Sequence, residues 1–369
     1  MADPRRLRIA LVLGTSGGGV GRHVASLAAG LGAAGHDVLV VGPAETDAVF
    51  GFTSAGARFA RWDISDRPRP TGDVRAVRRL RGLFSGADVV HAHGLRAGGL
   101  AVIALRSLRA KRRAGPPLVV TLHNALLAPG AVALAYGVLE RLVARGASVV
   151  LGVSADLEDR MRRLGAREVG AAVVPSPSGP VSVRDPADTR AELGAEGPLV
   201  VTVGRLAEQK GLPLLLDVAG RFADRSPRPT FVVAGDGPLE DPLRRRIDAE
   251  RLPVRLLGRR ADVPDLLAAA DVVVVPSQWE GQPLVVQEAL RAGAPLVATA
   301  VGGIPYLVGD AAVLVPYGDP AALADAVATL LDDPAGRDWL AATARARAAE
   351  LPDDADAVDA VLAVYRRLC

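Results

Sequence analysis

Short runs of β-branched and aliphatic residues recur along this chain, each separated from the next by enough residues for a helix. In the first half they are "RIALVLG", "DVLVVG", "ADVVHAH", "PLVVTLH" and "ASVVLGVS". The second half restarts the same rhythm with "PLVVTVG", "TFVVAGDG", "VRLLG", "ADVVVVPS", "APLVATA" and "AAVLVP". Continuous apolar runs of this length suit strands buried on both faces, and strands that alternate with helices pair in parallel. The pattern therefore predicts an α/β chain of two Rossmann-like domains facing a central cleft. Its 369 residues are enough for two separate cores. The richest Pro/Ser/Gly segment, "VVPSPSGPVSVRDP" at residues 173–186, separates the halves. The predicted domains are 1–178 and 179–352, with one more helix over 353–369.

Charge changes sign at the same boundary. Residues 1–186 carry 25 Lys and Arg against 14 Asp and Glu, a net +11, whereas residues 187–369 carry 19 against 27, a net −8. Nearly every cation is arginine, and the only lysines are Lys111 and Lys210. The start, "MADPRRLRIALVLGTSGGG", is a poor signal peptide because its apolar run is short and ends in glycines. Residues 114–139 have no formal charge, but Pro116, Pro117, His123, Asn124 and Pro129 interrupt them. That reads as strand, loop and a buried or surface-seated helix rather than a membrane span. The single cysteine, Cys369, offers neither a disulfide nor a cysteine metal site, so a cytoplasmic location is the expectation.

Four features bear on chemistry. In "LGTSGGGVGRHVASL" a glycine-rich turn opens a helix, where Gly18 and Gly19 allow backbone N–H groups to approach a phosphate. A plain tight turn explains it as well: the spacing fits neither G-x-G-x-x-G nor a Walker loop. In "VGRLAEQKG", Arg205 and Lys210 stand just past a strand end, as a diphosphate would require, or as two solvated loop charges. All five histidines fall in the first half, and at least three of His23, His36, His91, His93 and His123 belong at one sheet edge. No carboxylate lies near His91, His93 or His123 in sequence, so core and hydrogen-bonding roles are expected for the first two and no metal site. The fourth feature is "SQWEGQPLVVQEALRAGAP", where Glu280 precedes a helix and Glu288 lies inside it. Pro283 suits the first helical position and Gly293 the end. A diphosphate at the helix N-terminus would then have one carboxylate on either side, each able to accept from a diol. Helix-dipole balance and a surface acid are the bland alternative.

These segments together, "GRLAEQKG", "VVAGDGPLEDPL", "ADVVVVPSQWEGQPLVVQEALRAGAPLVATAVGGIP" and "LVPYGDPAALADAV", strongly resemble the retaining nucleotide-sugar glycosyltransferases of family 4, which have the GT-B fold. "GGGVGRHVASLAAGLGAAGHDVLVV" and "VVHAHG" fit more loosely. The resemblance implies that Glu280 and Glu288 contact donor sugar and nucleotide ribose, and that Arg205 and Lys210 bind the diphosphate. It places His123 near the reacting sugar and implies that the last helix crosses back onto the first domain. Gly18, Gly19, Gly281, Gln282 and Leu284 complete the expected donor-binding set. The sequence departs from the family pattern at Gln282, at Tyr306 in "GGIPYLV", and at Ser176 in "PSPSG".

The function expected is therefore metal-independent sugar transfer, with retention, from a nucleoside diphosphate sugar to a hydroxyl acceptor, with no cofactor beyond that co-substrate. A nucleotide-sugar epimerase of the same fold and a non-catalytic nucleotide-sugar-binding subunit are the alternatives. The basic run "RSLRAKRRAG", with Arg106, Arg109, Lys111, Arg112 and Arg113, has no aromatics among its charges, which speaks against nucleic acid. A solvated helix end explains it. The other reading is peripheral contact with an anionic membrane, on its inner face, or with an anionic or lipid-linked acceptor.

Overall fold

The structure, a computed structural model, describes residues 5–15, 18–64, 70–109, 115–125, 130–176 and 182–369. Its contacts divide the chain into two compact units, Met1–Pro177 with Pro352–Cys369, and Ser178–Leu351. No helix among the described residues is long and apolar enough to cross a membrane.

The first unit runs β1 (Arg8–Leu13), α1 (Gly19–Ala33), β2 (Asp37–Gly42), α2 (Ala44–Phe50), β3 (Arg58–Arg61), α3 (Pro70–Phe84), β4 (Val89–His93), α4 (Leu95–Arg109), β5 (Leu118–Leu122), α5 (Gly130–Gly146), β6 (Val149–Gly152), α6 (Ala155–Arg163) and β7 (Val169–Ala171). All pairings are parallel, in the order β3-β2-β1-β4-β5-β6-β7. Strand order reverses between β1 and β4. Strands β4, β5 and β6 are buried at every residue, as their unbroken apolar runs require. The edge strands β3 and β7, "RFAR" and "VGA", are short and nowhere fully buried, and no apolar run announces them.

The second unit runs α7 (Pro186–Glu192), β8 (Leu199–Val203), a 3-10 turn at Glu208–Lys210, α8 (Leu212–Gly220), β9 (Thr230–Ala234), α9 (Glu240–Glu250), β10 (Val254–Gly258), α10 (Val263–Ala269), β11 (Val272–Val275), α11 (Leu284–Ala292), β12 (Leu296–Thr299), α12 (Ile304–Val308), β13 (Val313–Val315), α13 (Pro320–Asp332) and α14 (Pro334–Ala349). Its six strands are again all parallel, in the order β10-β9-β8-β11-β12-β13, reversing between β8 and β11. One core cluster built on Phe231, Val233, Val272 and Val274 and another on Val201, Val232, Val273 and Ala298 are formed by alternate residues of the same strands. Those clusters are the two faces of one sheet.

The last helix, α15 (Asp354–Leu368), belongs to the first unit although the second unit precedes it. It opens with a reciprocal capping box: the Asp353 carboxylate accepts from the Ala355 and Asp356 N–H groups, and Asp356 accepts from the Asp353 N–H. The helix lies on α1, where Ser26 donates to Asp354 at 2.5 Å and Gly30 leaves the space that Val358 fills. At its far end Tyr365 is fully buried, its hydroxyl 2.6 Å from His91 Nδ1 on β4. Tyr365→Phe keeps the ring but leaves that nitrogen without a partner. It should cost about 1–3 kcal/mol of stability, read as a lowered urea midpoint with an unchanged slope. An unchanged midpoint would show that the hydroxyl does not anchor the helix.

Candidate functional site

A parallel sheet delivers all its strand ends to one edge, and the loops diverge where the strand order reverses. In the second unit that place lies between β8 and β11. Thr202 on β8 donates to the Val274 carbonyl on β11 at 2.9 Å, which fixes the two strands where their loops part. The loop after β8 carries Arg205 and Lys210, and it is braced from both sides. The Leu206 N–H donates to Asp236 O at 2.8 Å, and the Leu239 N–H donates back to Leu206 O at 2.9 Å. Gly235 has φ 151° and lies so close to the Gly204 carbonyl that a Cβ there would overlap it. On the other side the Gln278 N–H donates to Gln209 O, and Gln209 Nε2 donates to Trp279 O, both at 2.8 Å. Gly211, at φ 64°, closes the 3-10 turn and starts α8 against the Pro276 carbonyl, where no side chain fits.

These braces bring Lys210 to Glu280. Lys210 Nζ donates to Glu280 Oε1 at 2.6 Å, and Ser277 Oγ donates to the same oxygen at 2.7 Å. Glu280 is 5% exposed, so its charge needs those partners. Its backbone is held too: the Gly303 N–H donates to Glu280 O at 2.9 Å, and Gly302 is close enough that a Cβ would overlap that carbonyl. Thr299 at the end of β12 donates to Ser277 O at 2.6 Å. Loops from β8, β11 and β12 thus converge on one carboxylate, and Glu280 Oε2 has no partner among the described residues. A small pocket opens there, lined by Gly204, Lys210, Pro276, Ser277, Glu280 and Val285. Arg205 stands exposed at the same loop, and its guanidinium pairs with no described residue.

Helix α11 follows directly. Pro283 is its N-cap, with ψ 123°, rather than its first helical residue, so the helix begins one position later than expected, at Leu284. Proline's fixed φ suits either position, and the extended ψ decides it. Glu288 is then the fifth helical residue, about 6 Å along the axis from Leu284, and is half-buried. Gly281 is buried, Gln282 and Leu284 are half-buried, and Gly293 ends the helix at φ 66°. Tyr306 is 87% exposed, while its carbonyl accepts from Arg347 at 3.0 Å. Sequence reasoning gave no role to Ser277, Gln209, Thr299 or Gly302. A hydroxyl three residues before an acid, on a turn, is the signal that could have found Ser277.

The other predicted residues lie in the first unit, at its own reversal point. Gly18 is the N-cap of α1 and Gly19 its first residue, just past β1, with no side chain capping the helix. Four of the five histidines meet beside them. His91 and His93 end β4, His123 follows β5, and His23 comes from α1; His93 Nδ1 and His123 Nε2 are 3.2 Å apart. The His23 ring stands 5.6 Å from both the His93 and the His123 ring. His91 is held between Tyr365 and Thr121 Oγ1, the latter at 2.7 Å from Nε2. His23 Nδ1 and His93 Nε2 are buried without a partner among the described residues. Burial, and secondarily the neighbouring imidazoles, holds His93 and His123 well below the ordinary histidine range. Burial lowers His23 to about 4, and burial with the nearby His23 lowers His91 to about 3. All four are neutral at pH 7. Among the described residues no three or more of histidine, cysteine, aspartate and glutamate are grouped to hold a metal ion.

Two conserved-domain descriptions match this chain, "Glycosyl transferase 4-like domain" over residues 18–177 and "Glycosyl transferases group 1" over residues 197–333. The glycogen synthase of Mycobacterium tuberculosis is 30% identical over 372 residues, covering 90% of this chain and 86% of its own. An α-D-kanosaminyltransferase of Streptomyces kanamyceticus is 29% identical over 349 residues, 88% of this chain and 86% of its own. Among solved structures, Anabaena Alr3699/HepE in complex with UDP superposes with a TM-score of 0.81 at 24% identity, covering 98% of this chain and 100% of that one. The chain belongs to the group 1, family 4-like glycosyltransferases of GT-B fold. Its class of activity is glycosyl transfer from a nucleotide-sugar donor.

The buried imidazoles also make the first unit sensitive to acid. Their folded pKa values lie below the unfolded value of about 6.5, so below that pH the unfolded chain binds more protons. Stability is full above about pH 6.5 and is lost as pH falls towards the folded values of about 4 for His23 and about 3 for His91. The thermal midpoint should fall steadily from pH 6.5 downward, and His23→Phe should flatten the slope. A midpoint that holds level to pH 4 would mean that these histidines are not buried neutral.

Proposed function

We propose that this chain transfers a sugar from a nucleoside diphosphate sugar to a hydroxyl acceptor, with retention of the donor's anomeric configuration and without a metal ion. The supporting observation is the convergence at the β8/β11 reversal, where Arg205, Lys210, Glu280 and the start of α11 occupy one edge of one sheet. The backbone N–H groups at the positive end of α11, which begins at Leu284, attract a diphosphate. Lys210 spends one donor on Glu280 and keeps two for a phosphate. Arg205, exposed and pairing with no described residue, supplies a planar fork for the same group. As the bond to the leaving diphosphate breaks, negative charge grows where these donors already point, so they stabilise the transition state more than the ground state.

Glu280 Oε2 is the acceptor left for sugar hydroxyls, and Glu288, one turn into α11, is assigned to the ribose. Ser277 fixes Glu280 in place. His123 is assigned by family resemblance to the reacting sugar; a neutral imidazole can donate one hydrogen bond and accept another but carries no spare proton. Retention follows the family's manner, attack from the face of the leaving group, with the departing phosphate helping to take the acceptor's proton. Gly18 and Gly19 contribute backbone N–H groups at the first unit's own reversal.

Release of nucleoside diphosphate, followed across a panel of nucleotide sugars and acceptors, tests this reading. Arg205→Ala should raise the barrier by about 2–4 kcal/mol with an unchanged melting temperature, since it breaks no internal contact. Lys210→Ala should lose as much rate and also cost about 1–3 kcal/mol of stability, because Glu280 is left short of a partner. Wild-type turnover should survive exhaustive chelation, and the product should keep the donor's anomeric configuration. Full activity in Arg205→Ala, or activity abolished by chelation and restored by a divalent ion, would overturn the mechanism.

A further inference from the structure

Helices α3, α4 and α5 pack side by side in the first unit, α3 along α4 and α4 along α5. The α4–α5 contact is close because Gly99 makes room for Leu139 and Gly146 for Val102. Their outward residues combine two features that soluble surfaces rarely bring together. Large aliphatic side chains are exposed on all three: Val74 at 54% on α3, Ile103 at 42% on α4, and Val132, Leu134 and Val138 at 51%, 72% and 60% on α5. They make up half of the exposed large hydrophobics among the described residues. Between them stand exposed arginines, Arg75, Arg78 and Arg79 on α3, Arg106 on α4, Arg141 and Arg145 on α5.

None of these six arginines pairs with a carboxylate among the described residues. The only acid whose side chain is described on the three helices is Glu140, which is buried and held by Arg160 through two hydrogen bonds at 2.7 and 2.5 Å. On α5, Leu134, Val138, Arg141 and Arg145 follow a spacing of four, three and four, so they share one stripe, apolar in its first half and cationic in its second. Elsewhere in the molecule some exposed arginines do find acids, as Arg162 finds Glu158 and Asp159, and Arg58 finds Asp37. What sets these three helices apart is the exposed aliphatic side chains that stand beside their arginines. Of the sequence-predicted patch only Arg106 has a described side chain; Arg109's side chain and Lys111, Arg112 and Arg113 lie outside the described residues.

We propose that the α3–α4–α5 face docks on an anionic lipid bilayer. Aliphatic side chains standing among unpaired guanidiniums match an interface in which headgroup phosphates lie just above acyl chains. The guanidiniums bind phosphate while the aliphatic groups enter the boundary below. A nucleic acid or another soluble polyanion would use the arginines but gain nothing from Leu134 and Val138, and the face presents no exposed aromatic on which a base could stack. An acidic protein is excluded or supported by the same test. Docking does not depend on the donor chemistry, and the test reads binding rather than transfer.

Sedimentation of the full chain with vesicles decides it. At low salt the protein should pellet with phosphatidylcholine vesicles containing roughly a third phosphatidylglycerol, should stay in the supernatant with pure phosphatidylcholine, and should be released as salt rises. Arg78→Gln and Arg106→Gln should each weaken partitioning about fivefold. Leu134→Gln and Val138→Gln, which change no charge at largely exposed positions, should each weaken it about tenfold. Failure to pellet with the anionic vesicles would overturn the proposal. So would binding that the arginine variants weaken and the Leu134 and Val138 variants leave untouched, since that is the behaviour of a polyanion or acidic-protein surface.

Discussion

Glu280 is a carboxylate buried at the edge of a parallel sheet, and the second unit's candidate site is organised around satisfying it. Burying a carboxylate in that position without partners would be costly. Lys210 and Ser277 supply the charge and the hydrogen bond that it needs, both on Oε1. To bring Lys210 within 2.6 Å, the loop after β8 must turn back over the end of β11, and the cross-bonds from Asp236, Leu239, Gln278 and Trp279 hold it there. The glycines at 211, 235 and 302 follow from the same demand, because each approaches a carbonyl where a Cβ has no room. The result is a cation held at the mouth of the sheet and a second carboxylate oxygen with no partner among the described residues. Arg205 adds an exposed guanidinium at the same loop, and α11 begins beside it.

Most of the fold was legible because parallel, doubly covered strands must be continuous apolar runs. Eleven such runs were readable and all became strands. The two that escaped, β3 and β7, lie at the sheet edge, where half of the side-chain surface faces outward and the apolar signal fades. The division of the chain was visible as a Pro/Ser/Gly segment coinciding with a change in charge sign. Proline at position 283 was assigned one residue too far into its helix, since the sequence shows its φ but not its ψ.

The candidate site was legible in a more uneven way. Lys210 and the Glu280/Glu288 pair were conspicuous by type and spacing, yet nothing in the sequence showed that Lys210 and Glu280 touch across 70 residues. The histidines were visible as a group of five confined to one half. That four of them meet, and that a tyrosine from the chain's last helix completes the hydrogen bonding of one, required the fold: α15 returns to the first unit after the whole second unit has intervened. The charge asymmetry was read from composition and located on the run at 106–113. Most of that run lies outside the described residues; among those described, exposed arginines without an acid partner are spread over three helices, among aliphatic residues separated by dozens of positions.

The claim that matters most is that the β8/β11 reversal receives a diphosphate. Calorimetric titration of the intact protein with matched nucleoside mono- and diphosphates addresses it directly, without knowledge of sugar or acceptor. The diphosphate should bind at least about tenfold more tightly than the monophosphate of the same nucleoside, an advantage carried by charge-assisted bonds from Arg205, Lys210 and the start of α11. That advantage should shrink in Arg205→Ala. Equal affinity for the two nucleotides across all common bases would contradict the assignment.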